Sequence, residues 1–380
     1  MATRTYRTID SDGHVTEPPD LWEKYIDPRF REGAPRFVSE PDGAEKILVE
    51  DTVRLFPRGF AGPTSFGRKP FGRYLAGEQG GFDPHKRIPY MDAEGIDAAF
   101  LYPSMGLQFI SFVKDPGMAG AICRAYNRWL ADYCSAYPDR LFGVGMLPMQ
   151  SNEVAIAEAT YARKELGFKG VFLRPNPCHD RLLYDPSYDP VWAALEDLDV
   201  AVGFHEGTGA GVPSLAHDRF DTGVGRHSAS HTFEMMTAFA GLILTGVCER
   251  FPRLRFGFLE SGGGWVAPWL DRLDRHIHGP LDDTSLPMKP SEYFKRQCWI
   301  SFEPAEGALK VLADYIGPEK IMWATDYPHT DGFPNAVAAI RAIGMPPETE
   351  RRVLAEGSIR FYNMGDPAEL LAPAEVPAMA

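Results

Sequence analysis

Asp12 and His14 stand two residues apart in Asp12-Gly13-His14-Val15, beside a short β-prone segment. On a β-strand, residues two apart point to the same face. A carboxylate and an imidazole on one face supply half of a divalent-metal site. His205, in Val202-Gly203-Phe204-His205-Glu206, and Asp326, in Trp323-Ala324-Thr325-Asp326-Tyr327, suggest the other half. Each follows a short apolar run that reads as a buried strand. The plainer alternative is a carboxylate and a histidine that cap a turn at a strand end. Where the remaining polar residues fall decides between the two.

Positioning these groups requires an ordered set of strands. Apolar, β-rich runs occur at Thr5–Asp10, Ala98–Pro103, Leu141–Pro148, Gly170–Pro175, Val200–His205, Arg255–Glu260, Trp299–Pro304 and Ile321–Asp326. Amphipathic stretches lie between most of them: Met118–Tyr137, Asn152–Leu166, Tyr188–Asp197, Thr232–Arg250, Trp265–His276 and Ala305–Tyr315. Alternating strands and helices imply an α/β fold with a parallel sheet and right-handed crossovers. Eight such units predict a closed (β/α)8 TIM barrel, with an open doubly wound sheet as the alternative.

Residues 1–365 read as one barrel domain and 366–380 as a C-terminal tail. A long insertion, residues 18–84, follows the first strand. It contains a candidate hairpin from Arg36-Phe37-Val38 through Pro41-Asp42-Gly43 to Ile47-Leu48-Val49, then the Gly- and Arg-rich stretch Pro57–Gly81. A loop this long in a compact domain is usually functional, and here it is expected to form a lid over the barrel mouth.

Catalytic groups of such barrels gather at the C-terminal ends of strands. The chain places Asp12 and His14, Arg174, His205 and Glu206, Glu260, Glu303, and Asp326 with His329 at those ends. Loops are polar in any protein, but so many His and Asp/Glu residues at strand ends predict a shared pocket.

These positions also carry a resemblance. Ile9-Asp10-Ser11-Asp12-Gly13-His14, Gly203-Phe204-His205, Glu249–Arg255 with Glu260-Ser261-Gly262-Gly263-Gly264-Trp265, and Ala324–His329 occur in this order. Together they resemble one branch of the amidohydrolase superfamily, from Tyr6 to about Tyr362. That branch includes aminocarboxymuconate-semialdehyde decarboxylase, the metal-dependent aromatic-acid decarboxylases and related hydrolases. The resemblance implies one divalent metal ion, zinc or manganese, at the barrel mouth, held by Asp12, His14, His205 and Asp326. Two features depart from the commonest pattern. Asp-x-His replaces His-x-His on the first strand, which makes a hard metal such as manganese or iron more plausible beside zinc. Glu260 stands where the best-known decarboxylase has a catalytic histidine, which leaves the general base open.

The expected catalytic groups are Asp326, His231 and Glu260. Asp326 could shuttle a proton. His231, placed before a helix, could donate one. Glu260 would act as a base or as an orienter of a ligand. Arg174 could grip a substrate carboxylate bidentately, or pair with a barrel carboxylate instead. His329 is expected at the rim in touch with substrate, and Glu17, before Pro18-Pro19, as a turn stabiliser. Tyr102, Phe109, Trp265 and Tyr327 could line a ring-accepting pocket, although core packing is the better reading for most of them.

The function expected is a metal-dependent carboxy-lyase that removes carbon dioxide non-oxidatively from an aromatic or unsaturated carboxylic acid. The alternative is a hydrolase in which hydroxide on the metal attacks an amide, a lactone or an activated C–C bond. A non-catalytic binding protein would have lost ligands, and all four candidates are present. The net charge of −13 speaks against nucleic acid and anionic membranes as partners but says little about the substrate, which the function expected makes a small molecule. Five scattered cysteines give no disulfide framework and fit reduced thiols in a cytoplasmic protein. No secretion signal or membrane span is expected. Barrels of the family it resembles often pair, so a homodimer is expected.

Overall fold

The computed structural model describes residues 4–39, 45–50, 53–55, 79–207, 213–329 and 332–373. Its strands are β1 (Ile9–His14), β2 (Arg36–Ser39), β3 (Glu45–Val49), β4 (Val53–Leu55), β5 (Ala98–Tyr102), β6 (Leu141–Met146), β7 (Gly170–Leu173), β8 (Ala201–Phe204), β9 (Arg255–Phe258), β10 (Cys298–Phe302) and β11 (Ile321–Trp323). Eight of them form one sheet in the order β1-β5-β6-β7-β8-β9-β10-β11, every neighbouring pair parallel. Short apolar strands buried on both faces, each followed by a helical return, are what closes such a sheet into a (β/α)8 barrel.

The seam between β1 and β11 is closed by side chains and loops. The Thr325 amide and hydroxyl donate to the Asp10 carboxylate at 3.1 and 2.5 Å, and the His14 amide donates to the Tyr327 carbonyl at 2.7 Å. Inside the barrel the large residues need partners without side chains. A Cβ on Gly203 would lie 2.1 Å from the Tyr102 hydroxyl. Tyr102 in turn meets the hydroxyl of Tyr362 at 2.7 Å, and the Tyr362 ring stacks on Phe100.

Three differences from the sequence reading have local causes. The first strand begins at Ile9 rather than Thr5, because Tyr6 instead bridges to Leu371. Asp12 and His14 therefore lie within the strand, not after it. The helix expected at Thr232–Arg250 starts at Gly223, where the Thr222 hydroxyl accepts the Gly225 amide. It ends at Leu244, and a separate turn Val247–Arg250 follows Gly246, which has φ 78°. His231 thus sits in mid-helix. A helix not expected, Pro84–Glu94, is capped by Asp83 and stopped by Gly95 in the left-handed region.

The expected hairpin is present: β2 and β3 pair antiparallel with Phe37 opposite Ile47, and β4 adds to β3. Most of the Gly- and Arg-rich stretch Pro57–Gly81 lies outside the described residues. The tail begins as a packed arm, since Ala372 donates to the Tyr6 carbonyl at 2.9 Å. All five cysteines are free and buried. No helix among the described residues is long and apolar enough to cross a membrane.

Candidate metal centre

β1 does not run evenly along β5. Asp10 pairs with Ala99 and Gly13 with Leu101, so three steps on β1 match two on its partner. A bulge of this kind re-aims side chains at a strand end. It delivers both Asp12 and His14 to the barrel mouth.

Each imidazole is oriented by a backbone carbonyl. His14 Nδ1 lies 2.9 Å from the Pro103 carbonyl and His205 Nδ1 lies 2.7 Å from that of Glu206. A carbonyl only accepts, so both Nδ1 atoms carry protons and both Nε2 atoms turn inward. The two Nε2 atoms are 3.2 Å apart. Asp12 presents Oδ1 at 3.6 Å from His14 Nε2 and Oδ2 at 3.5 Å from His205 Nε2. Neither Asp12 oxygen accepts a hydrogen bond among the described residues, although the side chain is 1% exposed. Asp326 completes the group with Oδ1 at 3.2 Å from His14 Nε2. Buried acceptors that converge on one point without donors need a cation or a proton between them.

Electrostatics agree. Burial raises the Asp12 pKa to about 7, against the pull of His205. Burial also opposes charge on His205, but Asp12, Glu260 and Asp326 outweigh it and push that pKa up to about 10. His14 is held well below its ordinary value by burial and by its histidine neighbours. Without metal, the proton on His205 Nε2 has Glu260 Oε2 as its nearest acceptor, at 2.8 Å, and Asp12 is left without a donor among the described residues. Two nitrogen and two carboxylate donors suit zinc, manganese or iron.

A second layer surrounds these four. Glu260 Oε2 lies 2.8 Å from His205 Nε2, closer than a remote orienter would stand. The Glu260 backbone, at φ 44°, and that of Asp326, at φ 54°, adopt the left-handed region that is uncommon for non-glycine residues. His329 Nδ1 meets Asp326 Oδ1 at 2.7 Å, its Nε2 meets the Ser104 hydroxyl at 2.7 Å, and its ring stacks on His14. It thus holds a candidate ligand, a role beyond the rim contact expected of it. His231 bridges two carboxylate residues, with Nδ1 at 3.0 Å from the Glu260 carbonyl and Nε2 at 3.0 Å from Glu206 Oε2. Burial disfavours its charge, but Glu260 and Glu206 win and raise its pKa.

Arg174 is expected either to clamp a substrate carboxylate or to pair with a barrel carboxylate. Its guanidinium donates to Glu206 Oε1 and the Gly207 carbonyl at 3.1 Å each, to the Leu107 carbonyl at 2.7 Å and to Asn176 Oδ1 at 3.1 Å. The ion pair with a barrel carboxylate is the alternative that the geometry adopts. Glu17 caps the helix Met105–Phe109, accepting the Met105 and Gly106 amides at 2.9 Å each. Glu303 stays exposed at its strand end. Tyr102 and Phe109 are fully buried, Tyr327 stacks on Tyr90, and Trp265 packs on Phe239 and Phe258, so packing accounts for all four aromatics.

The sequence reading overlooked His227. Its ring lies 4.0 Å from that of His231 and its Nε2 lies 3.7 Å from Glu260 Oε1. The signal was present: the two histidines are four residues apart, one helical turn. It was hidden because the helix was expected to begin after both.

Comparison with known proteins gives concordant results. The family model described as Amidohydrolase matches residues 9–364. A 2-amino-3-carboxymuconate-6-semialdehyde decarboxylase from Dictyostelium discoideum is 28% identical over 292 residues, 76% of this chain and 79% of that one. The crystal structure of an amidohydrolase from Mycobacterium avium subsp. paratuberculosis K-10 superposes with a TM-score of 0.78 at 23% identity, covering 94% of this chain and 99% of that one. The 5-carboxyvanillate decarboxylase of Novosphingobium aromaticivorans DSM 12444, complexed with manganese and 4-hydroxy-3-methoxy-5-nitrobenzoic acid, gives a TM-score of 0.66 at 21% identity, over 95% and 99% of the two chains. With a family match running from β1 to beyond the last barrel strand, the chain belongs to the amidohydrolase family.

Proposed function

We propose that the protein is a metal-dependent carboxy-lyase that removes carbon dioxide, without oxidation, from an aromatic or unsaturated carboxylic acid. The observation that carries this reading is the convergence of His14 Nε2, His205 Nε2 and the unbonded Asp12 carboxylate, with Asp326 alongside. In this reading Asp12, His14, His205 and Asp326 hold one divalent ion, manganese or zinc. When bound, that ion would supply positive charge to hold an anionic substrate and to stabilise charge developing during bond cleavage. The decarboxylase names of similar proteins support the reaction class.

The chain's own groups supply the proton that the reaction consumes. The bond between the ring or vinyl carbon and the carboxylate breaks, its electron pair stays on that carbon, and carbon dioxide leaves. The carbon then takes one proton. His231, whose pKa is raised by Glu260 and Glu206, is the proposed donor, with Asp326 as the second candidate. His329 fixes Asp326, while Arg174 neutralises Glu206 and leaves its other oxygen to His231. Residues 18–84 would act as the lid that excludes water from the mouth.

The reading places the enzyme as a homodimer in the cytoplasm, where five buried free thiols stay reduced. Sedimentation velocity tests the dimer directly. For the activity, manganese-loaded protein is incubated with a panel of hydroxybenzoates and unsaturated diacids in D2O. Release of carbon dioxide with one deuterium placed on the ring or vinyl carbon that carried the carboxylate is the expected result. Release of an acid, amine or alcohol from amides and lactones, with no carbon dioxide, would replace the lyase by the hydrolase, with Glu260 as its base.

A further inference from the structure

The seam between β1 and β11 holds candidate ligands on both lips, His14 on one and Asp326 on the other, yet no backbone ladder joins the two strands among the described residues. A residue of the helix that leads from β1 to β5 reaches into it. We propose that Arg87 is a positioning residue for the metal centre, locking the backbone of His14 to that of Tyr327 and so setting the spacing between His14 and Asp326. The proposal rests on the metal-site reading above and assigns a residue which that reading does not use.

Arg87 lies on the helix Pro84–Glu94, which follows the long insertion, and is 1% exposed. Its Nη1 donates to the His14 carbonyl at 2.6 Å, and its Nη2 reaches the Tyr327 carbonyl at 3.5 Å. The His14 amide donates to the same Tyr327 carbonyl at 2.7 Å. A closed ring results: His14 amide to Tyr327 carbonyl, Tyr327 carbonyl to Arg87, Arg87 to His14 carbonyl. The guanidinium also lies over the Tyr327 ring, 5.1 Å from its centroid.

Two observations set this apart from ordinary packing. The terminal nitrogens bond backbone carbonyls, with the Asp10 carboxylate and the Tyr133 hydroxyl as neighbours, while Nε has no hydrogen-bond partner among the described residues. A buried guanidinium satisfied so incompletely is costly, and an apolar side chain would fill the space at lower cost. The planar guanidinium presents a separate nitrogen to each carbonyl, where lysine would offer a single ammonium on a flexible stem. The β1 backbone is also cleared for it. A Cβ on Gly13, the residue between the two candidate ligands of β1, would lie 2.5 Å from Arg87 Nη2. Gly13 is therefore what lets the guanidinium reach the strand.

The contact yields a double-mutant cycle. The dissociation constant for Mn2+ alone is measured by calorimetry for the parent, Arg87→Lys, Arg87→Met, Gly13→Ala and the Gly13→Ala/Arg87→Met pair. All are measured well below their melting temperatures. Hydrogen exchange is followed in peptides covering residues 9–15 and 324–329. Arg87→Met should weaken Mn2+ binding about 10–100-fold, as loss of a partner behind a metal ligand typically does. Arg87→Lys should recover only part of that loss. Gly13→Ala should weaken binding in the parent but add little once Arg87 is gone. Exchange of the His14 amide should accelerate in each variant. Variants that melt lower yet bind Mn2+ as tightly as the parent would overturn the proposal and leave Arg87 a structural residue. A parent that binds no Mn2+ would contradict the metal site itself. The latch is then judged by exchange alone, and an unchanged His14 amide in Arg87→Met overturns it.

Discussion

His14 and His205 face each other through their Nε2 atoms at 3.2 Å, while both Nδ1 atoms are committed to backbone carbonyls. Two imidazoles fixed in this way cannot both be neutral and satisfied. A proton on His205, shared with Glu260 at 2.8 Å, or a cation must meet them, and only a cation would also satisfy the Asp12 carboxylate.

Metal affinity should therefore depend on pH with a definite sign. A cation must displace the proton from His205, whose pKa is pushed up to about 10, and below about 7 a second proton from Asp12. Binding should tighten about tenfold per pH unit between roughly 7 and 10 and more steeply below 7, because each displaced proton contributes one power of ten per unit. Titrating the Mn2+ dissociation constant from pH 5.5 to 9 checks this. A constant that does not change with pH would contradict the assignment.

In the proposed mechanism His231 delivers a proton without holding the metal. It lies among Glu206 and Glu260 rather than against Asp12 or His14. His231→Asn should lower kcat about 10²–10⁴-fold, the range for loss of a general acid, with metal content unchanged. Loss of the metal together with activity would make His231 a ligand instead.

The buried pair Arg174–Glu206 gives a stability prediction. Both side chains are at most 2% exposed and meet at 3.1 Å. Removing one member leaves a buried charge without its partner, at a cost of about 3–5 kcal/mol. Arg174→Met and Glu206→Gln should each lower the denaturant midpoint strongly, and the double variant should lose less than their sum. Additive losses would show that the two side chains are not coupled.

Lys320 makes folding pH-dependent far from the site. Burial lowers its pKa from 10.5 to about 8, and its ammonium lies 3.6 Å from the centroid of the Trp299 ring. Between those values the unfolded chain binds a proton that the folded chain does not, so stability rises with pH. Below about 8 the penalty is fully present and amounts to about 3 kcal/mol before the ring contact offsets part of it. Lys320→Met should flatten the rise between pH 8 and 10.5 in urea-unfolding curves. A variant that keeps the parent's slope would assign the effect elsewhere.

The barrel strands were legible because local pattern determines them: apolar runs of strand length, most of them followed by Asp, His, Glu or Arg. What failed was whatever depends on long-range partners. The start of β1 moved because Tyr6 bridges to Leu371, more than 360 residues along the chain. Arg174 could be placed at a strand end, but only the fold brings Glu206 and the Leu107 carbonyl around it. Asp10 and Arg87 gave no sign of their roles, since the β1–β11 seam exists only once the barrel closes. His227 was lost to a misplaced helix start, although Thr222 three residues before Gly225 is a readable cap.

The central claim is that Asp12, His14, His205 and Asp326 bind a divalent ion. Elemental mass spectrometry on protein purified without added metal, beside His205→Ala and Asp326→Ala, tests it most directly. The account predicts about one equivalent of manganese or zinc in the parent and its loss from both variants, each still folded by circular dichroism. A parent that stays metal-free after incubation with Mn2+, Zn2+ and Fe2+, or variants that keep full metal, would contradict it.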